Sequence, residues 1–196
     1  IADRATPSTT AYIAVGASPG VKLDNARRLL YFSRLLDKVG DGDIVECGVG
    51  TGGTLLALSV LGFEQNRNVW GFDSFTGFPE PTEEDRSQRK ATSGSLGVTL
   101  RTVDEDGNKA PARDLGDDFL YIYHDMLKVY GIPVEYLRSH VTLVKGNFSE
   151  RLMDYSGGNI ALLHLDCDLY ESYKVCLETL APNVQELSAL MNFLAL

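Results

Sequence analysis

The chain has 196 residues, enough for one domain with a full core and too few for two ordinary ones. Hydrophobic residues make up 44% and charged residues 23%, and no stretch approaches the ~18 uninterrupted apolar residues of a membrane span. The formal charge is -9 with Lys and Arg scattered, so the cationic stripe that draws in polyanions is missing and nucleic acid is disfavoured as a partner.

The opening segment IADRATPSTT lacks the basic start and apolar run of a signal peptide. It also lacks an initiator Met, so the sequence is expected to begin inside a longer gene product. Residues 1–23 are read as an N-terminal extension. Next comes a helix that Asp24 can cap, with Leu29, Phe32, Leu36 and Val39 at helical spacing. After the turn Gly40–Asp43 a short apolar run, Ile44–Val45, ends at Glu46. Beyond a glycine-rich turn, Thr54 to Leu61 reads as a helix apolar nearly all round, which predicts burial. Val69–Phe72 is a second strand, ending at Asp73.

From Ser74 to Asp117 the chain has no clear periodicity and is rich in Gly, Pro, Thr and charge. An irregular stretch of that length predicts a lid or a substrate loop. Asp118 to Tyr130 then shows a helical pattern, and His124 on it reads as a surface or packing residue. Val141–Val144 is a third strand. Asn159 to Leu165 is the fourth, and its near-continuous apolar content suits a strand buried on both faces. Tyr170 to Leu180 is a helix stopped by Pro182. Strands alternating with helices predict an α/β fold: one Rossmann-like domain over 1–196, a mostly parallel sheet with helices on both faces.

The first chemical signal is Glu46-Cys47-Gly48-Val49-Gly50-Thr51-Gly52-Gly53 between a strand and a helix. Glycines there let backbone approach a ligand, and the following helix presents its positive end. The order acidic-x-Gly-x-Gly-x-Gly differs from the Gly-x-Gly-x-x-Gly that seats a dinucleotide pyrophosphate. A carboxylate just before the turn would repel a pyrophosphate but attract an ammonium group. S-adenosylmethionine carries one at its amino-acid end, and Glu46 suits that cofactor better than NAD. Asp73, roughly 20 residues on at the next strand end, can accept hydrogen bonds from both ribose hydroxyls. Glu46, Cys47, Gly48, Gly50, Gly52, Asp73, the following Ser74 and, from the fourth strand, Asp166 are the candidate cofactor contacts.

The second signal closes the fourth strand: His164-Leu165-Asp166-Cys167-Asp168-Leu169-Tyr170-Glu171. Ligands of open parallel sheets sit beyond the carboxyl ends of strands, which places Asp166 beside the cofactor's methyl group. It can take a proton from a substrate hydroxyl, or bind Mg²⁺, which favours oxygen ligands. Asp168 is a second candidate metal ligand, or a helix N-cap with Glu171 completing a capping box. His164 lies deeper on the strand and reads as a satisfied core histidine. The cysteines Cys47, Cys167 and Cys176 lack metal-ligand spacing and fit small buried residues in a reducing cytoplasm, the expected location.

Together with Phe72-Asp73-Ser74-Phe75-Thr76-Gly77-Phe78-Pro79-Glu80-Pro81 and Lys145-Gly146-Asn147-Phe148, these segments resemble the macrocin O-methyltransferase (TylF/MycF-like) family. The similarity runs from Asn25 to Pro182. The resemblance implies S-adenosylmethionine, a Mg²⁺-type ion and methylation of a small-molecule hydroxyl, often on a natural-product sugar. It implies cofactor contacts at Glu46, Gly48 and Asp73, metal or catalytic duty at Asp166, and a substrate pocket formed partly by the segment after Asp73. The family continues past the last helix into a strand ending in an acidic pair that completes the metal site. Here only Asn183 to Leu196 remain, with Glu186 as their sole acid, so the C-terminal part is read as incomplete. Two other functions compete: a catalytically idle cofactor-binding module and an NAD-dependent oxidoreductase. The acceptor's identity and self-association are left open.

Overall fold

The computed structural model of the chain describes residues 23–50, 52–85, 99–100, 113–114 and 131–192, and of these the side chains of 29–50, 52–85 and 131–184. The helix expected over 118–130, with His124, lies outside them, as do residues 1–22 of the N-terminal extension. Seven strands and five α-helices are described: α1 Leu23–Leu36, β1 Asp43–Cys47, α2 Gly53–Gln65, β2 Val69–Asp73, β3 Thr99–Leu100, β4 Arg113–Asp114, α3 Val134–His140, β5 Val141–Lys145, α4 Phe148–Arg151, β6 Ile160–Leu165, α5 Tyr170–Leu180 and β7 Val184–Asn192.

Five of the strands form one sheet in the order β5-β2-β1-β6-β7, with every pairing parallel. From β1 the chain steps outward through β2 to β5, then returns to the other side of β1 with β6 and β7. The order therefore reverses between β1 and β6, the crevice in which open α/β sheets hold their ligands. Strand alternation sends Ile44, Val69, Val141 and Leu162 to one face, packed against Leu29, Phe32, Leu55 and Leu58 of α1 and α2. Val45, Cys47, Phe72, Leu163 and Leu165 go to the other, against Cys176 and Leu180 of α5. Helix α2 is buried from Leu55 to Gly62, as its apolar circumference predicts.

Two expectations are corrected, and further elements are added to the predicted ones. Helix α1 is described from Leu23, so Asp24 stands inside it and not at its cap. The stretch 74–117 is not wholly irregular, since β3 and β4 pair antiparallel within it. The short helices α3 and α4 join the predicted elements. The segment after Pro182 forms β7, hydrogen-bonded along β6 to the register pair Leu165–Asn192.

Candidate functional site

The C-terminal ends of β1, β2 and β6 meet at one edge of the sheet. At the end of β1, Gly48 runs so close to Asp166 that a Cβ on it would collide with the Asp166 carbonyl, and its φ of 94° lies in glycine territory. The Asp166 N–H donates to the Cys47 carbonyl at 2.8 Å, which ties the end of β6 to the start of the glycine turn. Gly50, with φ 53°, has nothing within 4 Å of where a Cβ would stand. Gly52 occupies the N-cap of α2, so the helix's positive end opens directly behind the turn.

Asp73 does the holding on the β2 side. Its Oδ2 accepts the Gly50 N–H at 2.8 Å and its Oδ1 accepts the Phe75 N–H at 2.6 Å. Each carboxylate oxygen has a further lone pair. Ser74 closes the next turn, donating to the Gly77 carbonyl at 2.8 Å. Phe75 is buried with a left-handed φ of 55°, a conformation that a bulky side chain seldom adopts unless its surroundings enforce it. Nothing in sequence periodicity marks it.

Glu46 is 1% exposed and sits opposite His164 in the β1–β6 register, with Oε1 3.1 Å from the buried His164 Nδ1. Phe32 of α1 packs edge-on against the imidazole at 5.2 Å between ring centres. Among the described residues Glu46 Oε2 has no hydrogen-bond partner. Burial drives the Glu46 pKa up from 4.5 to about 7, opposed by His164 and reinforced by the charges of Asp166 and Asp73. Cys47, in contrast, turns its thiol into the opposite core beside Cys167 and Cys176, and only its carbonyl reaches the site.

The N-cap reading of Asp168 is corrected. Leu169 holds the N-cap position of α5 and offers no side-chain acceptor, while Asp168 takes a left-handed φ of 64° in the turn before it. Glu171 makes no capping box; it pairs with the exposed Lys174 at 3.3 Å, one helical turn on. The Tyr170 N–H is instead taken by Asp85 Oδ1 at 2.8 Å. Sequence reasoning missed Asp85 because the group it caps lies 85 residues downstream.

The family pattern described as Macrocin-O-methyltransferase (TylF) matches residues 6–128 and 124–188, nearly the whole chain. The chain belongs to this family. An 8-demethyl-8-(2,3-dimethoxy-alpha-L-rhamnosyl)-tetracenomycin-C 4'-O-methyltransferase of Streptomyces olivaceus is 27% identical over 156 residues, 73% of this chain and 49% of that protein. The chain thus spans about half the length of that curated relative. The calicheamicin methyltransferase CalS11 superposes with a TM-score of 0.62 at 24% identity, covering 92% of this chain and 74% of that one. An apo structure of CalS11, described as a TDP-rhamnose 3'-O-methyltransferase, gives 0.56 at 20% identity over the same shares, 92% and 74%. The structural likenesses establish a Rossmann-like α/β fold.

Among the described residues no helix is long and apolar enough to cross a membrane.

Proposed function

We propose that the chain carries the cofactor and reaction site of an S-adenosylmethionine-dependent O-methyltransferase acting on a small-molecule hydroxyl, with a deoxysugar such as rhamnose as the substrate class. The observation that carries the reading is the family's own signature at the switch point: a glycine turn held by Asp73 and pressed against Asp166. In this reading Gly48, Gly50 and Gly52 let the cofactor approach backbone, and Asp73 takes the ribose hydroxyls with its remaining lone pairs. Glu46 offers Oε2 to the cofactor's ammonium, and Ser74 shapes the turn beside it. Asp166 orients the acceptor hydroxyl and takes its proton as the sulfur–methyl bond breaks and the oxygen–methyl bond forms. The segment 74–117 serves as lid or substrate loop of a single methyltransferase domain.

A Mg²⁺ ion would find two carboxylates, Asp166 and Asp168. Among the described residues no cluster of three or more His, Cys, Asp or Glu gathers to hold an ion. Mg²⁺ takes six oxygens, so waters and acceptor oxygens would have to supply the rest. Two carboxylates alone would hold the ion loosely.

Thermal unfolding tests the assignment. S-adenosylhomocysteine binds only the folded chain in this reading and should raise the Tm, whereas NAD should not. The rise should shrink in Asp73→Ala, since charged hydrogen bonds contribute about 1.5–3 kcal/mol each. A shift with NAD and none with S-adenosylhomocysteine overturns the proposal.

A further inference from the structure

We infer that Asp85 is a positioning residue: from the loop after β2 it fixes the start of α5 and, through it, the turn that carries Asp166. The inference deepens the methyltransferase reading and rests on it for the role of Asp166. The geometry is carried by one carboxylate with three donors. Oδ1 accepts the Tyr170 N–H at 2.8 Å, and Oδ2 accepts the Thr82 N–H and hydroxyl at 3.0 and 3.1 Å. Burial pushes the Asp85 pKa up, but the bonds from Tyr170 and Thr82 outweigh it and hold the carboxyl below its ordinary value.

Helix α5 needs this acceptor. The first N–H groups of a helix have no partner within it, and a side chain next to the helix usually supplies one. At α5 that position is Leu169, whose side chain offers no acceptor and makes no capping bond. A loop distant in sequence takes over the task.

The consequence reaches Asp166 because the intervening turn is short and fixed at both ends. Upstream, the Asp166 N–H is bonded to the Cys47 carbonyl at 2.8 Å; within the turn, the Leu169 N–H reaches back to the Cys167 carbonyl at 2.7 Å. Downstream stands Tyr170, held by Asp85. A left-handed aspartate persists only where its surroundings over-determine it, and these bonds do so. The loop 74–85 is thereby fastened at its start to Asp73 through the Phe75 N–H, and at its end to α5 through Asp85. It links the group assigned to the cofactor with the turn assigned to the reaction.

The test compares Asp85→Ala and Asp85→Asn with the unaltered chain by amide hydrogen exchange, S-adenosylhomocysteine calorimetry, and methyl transfer to TDP-rhamnose as the acceptor probe. Asp85→Ala should speed exchange across 166–169, as well as 170–173, by about tenfold or more. It should lower kcat about tenfold while the Kd for S-adenosylhomocysteine stays within about twofold, because misplacing a reacting group costs rate and not cofactor affinity. Asp85→Asn keeps a carbonyl for the Tyr170 N–H and should restore both readouts. Faster exchange confined to 170–173 would make Asp85 a plain helix cap and overturn the inference. So would an Asn variant as impaired as the Ala variant. Failure of the unaltered chain to bind S-adenosylhomocysteine would overturn the methyltransferase reading instead, and the exchange across 166–169 would still decide what Asp85 holds.

Discussion

Strand β1 buries a carboxylate at each end, and the fold treats the two in opposite ways. Asp43, at the N-terminal end, is 6% exposed and fully engaged: its Oδ2 accepts Trp70 Nε1–H and the Tyr155 hydroxyl, both at 3.1 Å, and its Oδ1 accepts Asn68 Nδ2–H at 3.0 Å. Next to it, Arg67 clamps the entering turn through the carbonyls of Gly40 and Gly42 at 2.9 and 3.0 Å. Glu46, three residues along the same strand, has one described partner, His164, and an oxygen with none. A buried acceptor without a donor costs free energy that a fold has no structural reason to retain. The difference teaches where stability and function reside in this sheet. Its lower edge is closed by satisfied polar groups; at its upper edge Glu46 has an oxygen with no described donor, which the proposed function gives to the cofactor's ammonium.

Three substitutions would break or sharpen that contrast. The largest effect is expected at the upper edge. Asp166→Asn should bind S-adenosylhomocysteine as the unaltered chain does and lose about 10²–10⁴-fold in turnover, the usual worth of a general base. Steady-state kinetics beside calorimetry checks it, and full turnover in the variant removes Asp166 from the chemistry.

At the lower edge, Asp43→Ala removes the acceptor shared by Trp70, Tyr155 and Asn68, and leaves Tyr155 only its bond to the Gly158 carbonyl. It should cost about 4 kcal/mol in urea unfolding, since hydrogen bonds to a charged group contribute about 1.5–3 kcal/mol each and these three are part-buried. Cofactor affinity should be unchanged. A variant that lost affinity as much as stability would dissolve the division between the two edges.

The smallest effect concerns pH. The folded-state pKa of Glu46 is raised from 4.5 to about 7, so the folded chain holds a proton that the unfolded chain releases. That contribution to stability is fully present below about pH 4.5 and is lost as pH rises to about 7, a decline of order 3 kcal/mol. Glu46→Gln should flatten this part of the stability–pH curve while weakening S-adenosylhomocysteine binding. Unfolding at pH 5 and pH 8 measures the difference between the variant and the unaltered chain. An unchanged slope would show that the Glu46 carboxyl is not the titrating group.

Much of the scaffold was legible in sequence. The four predicted strands match β1, β2, β5 and β6 to within a residue or so at each end, because runs such as Ile160–Leu165 are buried on both faces and must be apolar throughout. Helix α5 was placed at its observed bounds. The missing elements fail for physical reasons. Strand β7, VQELSALMN, stands at one end of the sheet order, and its mixed composition lacks the continuous apolar run of a central strand. Helix α3 has seven residues, too few for a helical period to declare itself, and is held from outside by the Tyr136 hydroxyl bonded to the Arg67 carbonyl at 2.6 Å.

The site divides along the same line. The glycine turn, Asp73 and Asp166 are local patterns: residue types forced by a tight strand-to-helix turn or by the end of a buried strand. Sequence determined those. The pairing of Glu46 with His164, the hold of Asp73 on Gly50, and the capping of α5 by Asp85 join residues 118, 23 and 85 positions apart. Only the tertiary structure decided them, because a hydrogen bond depends on where two groups meet in space, and the parallel sheet brings distant strand ends to one edge.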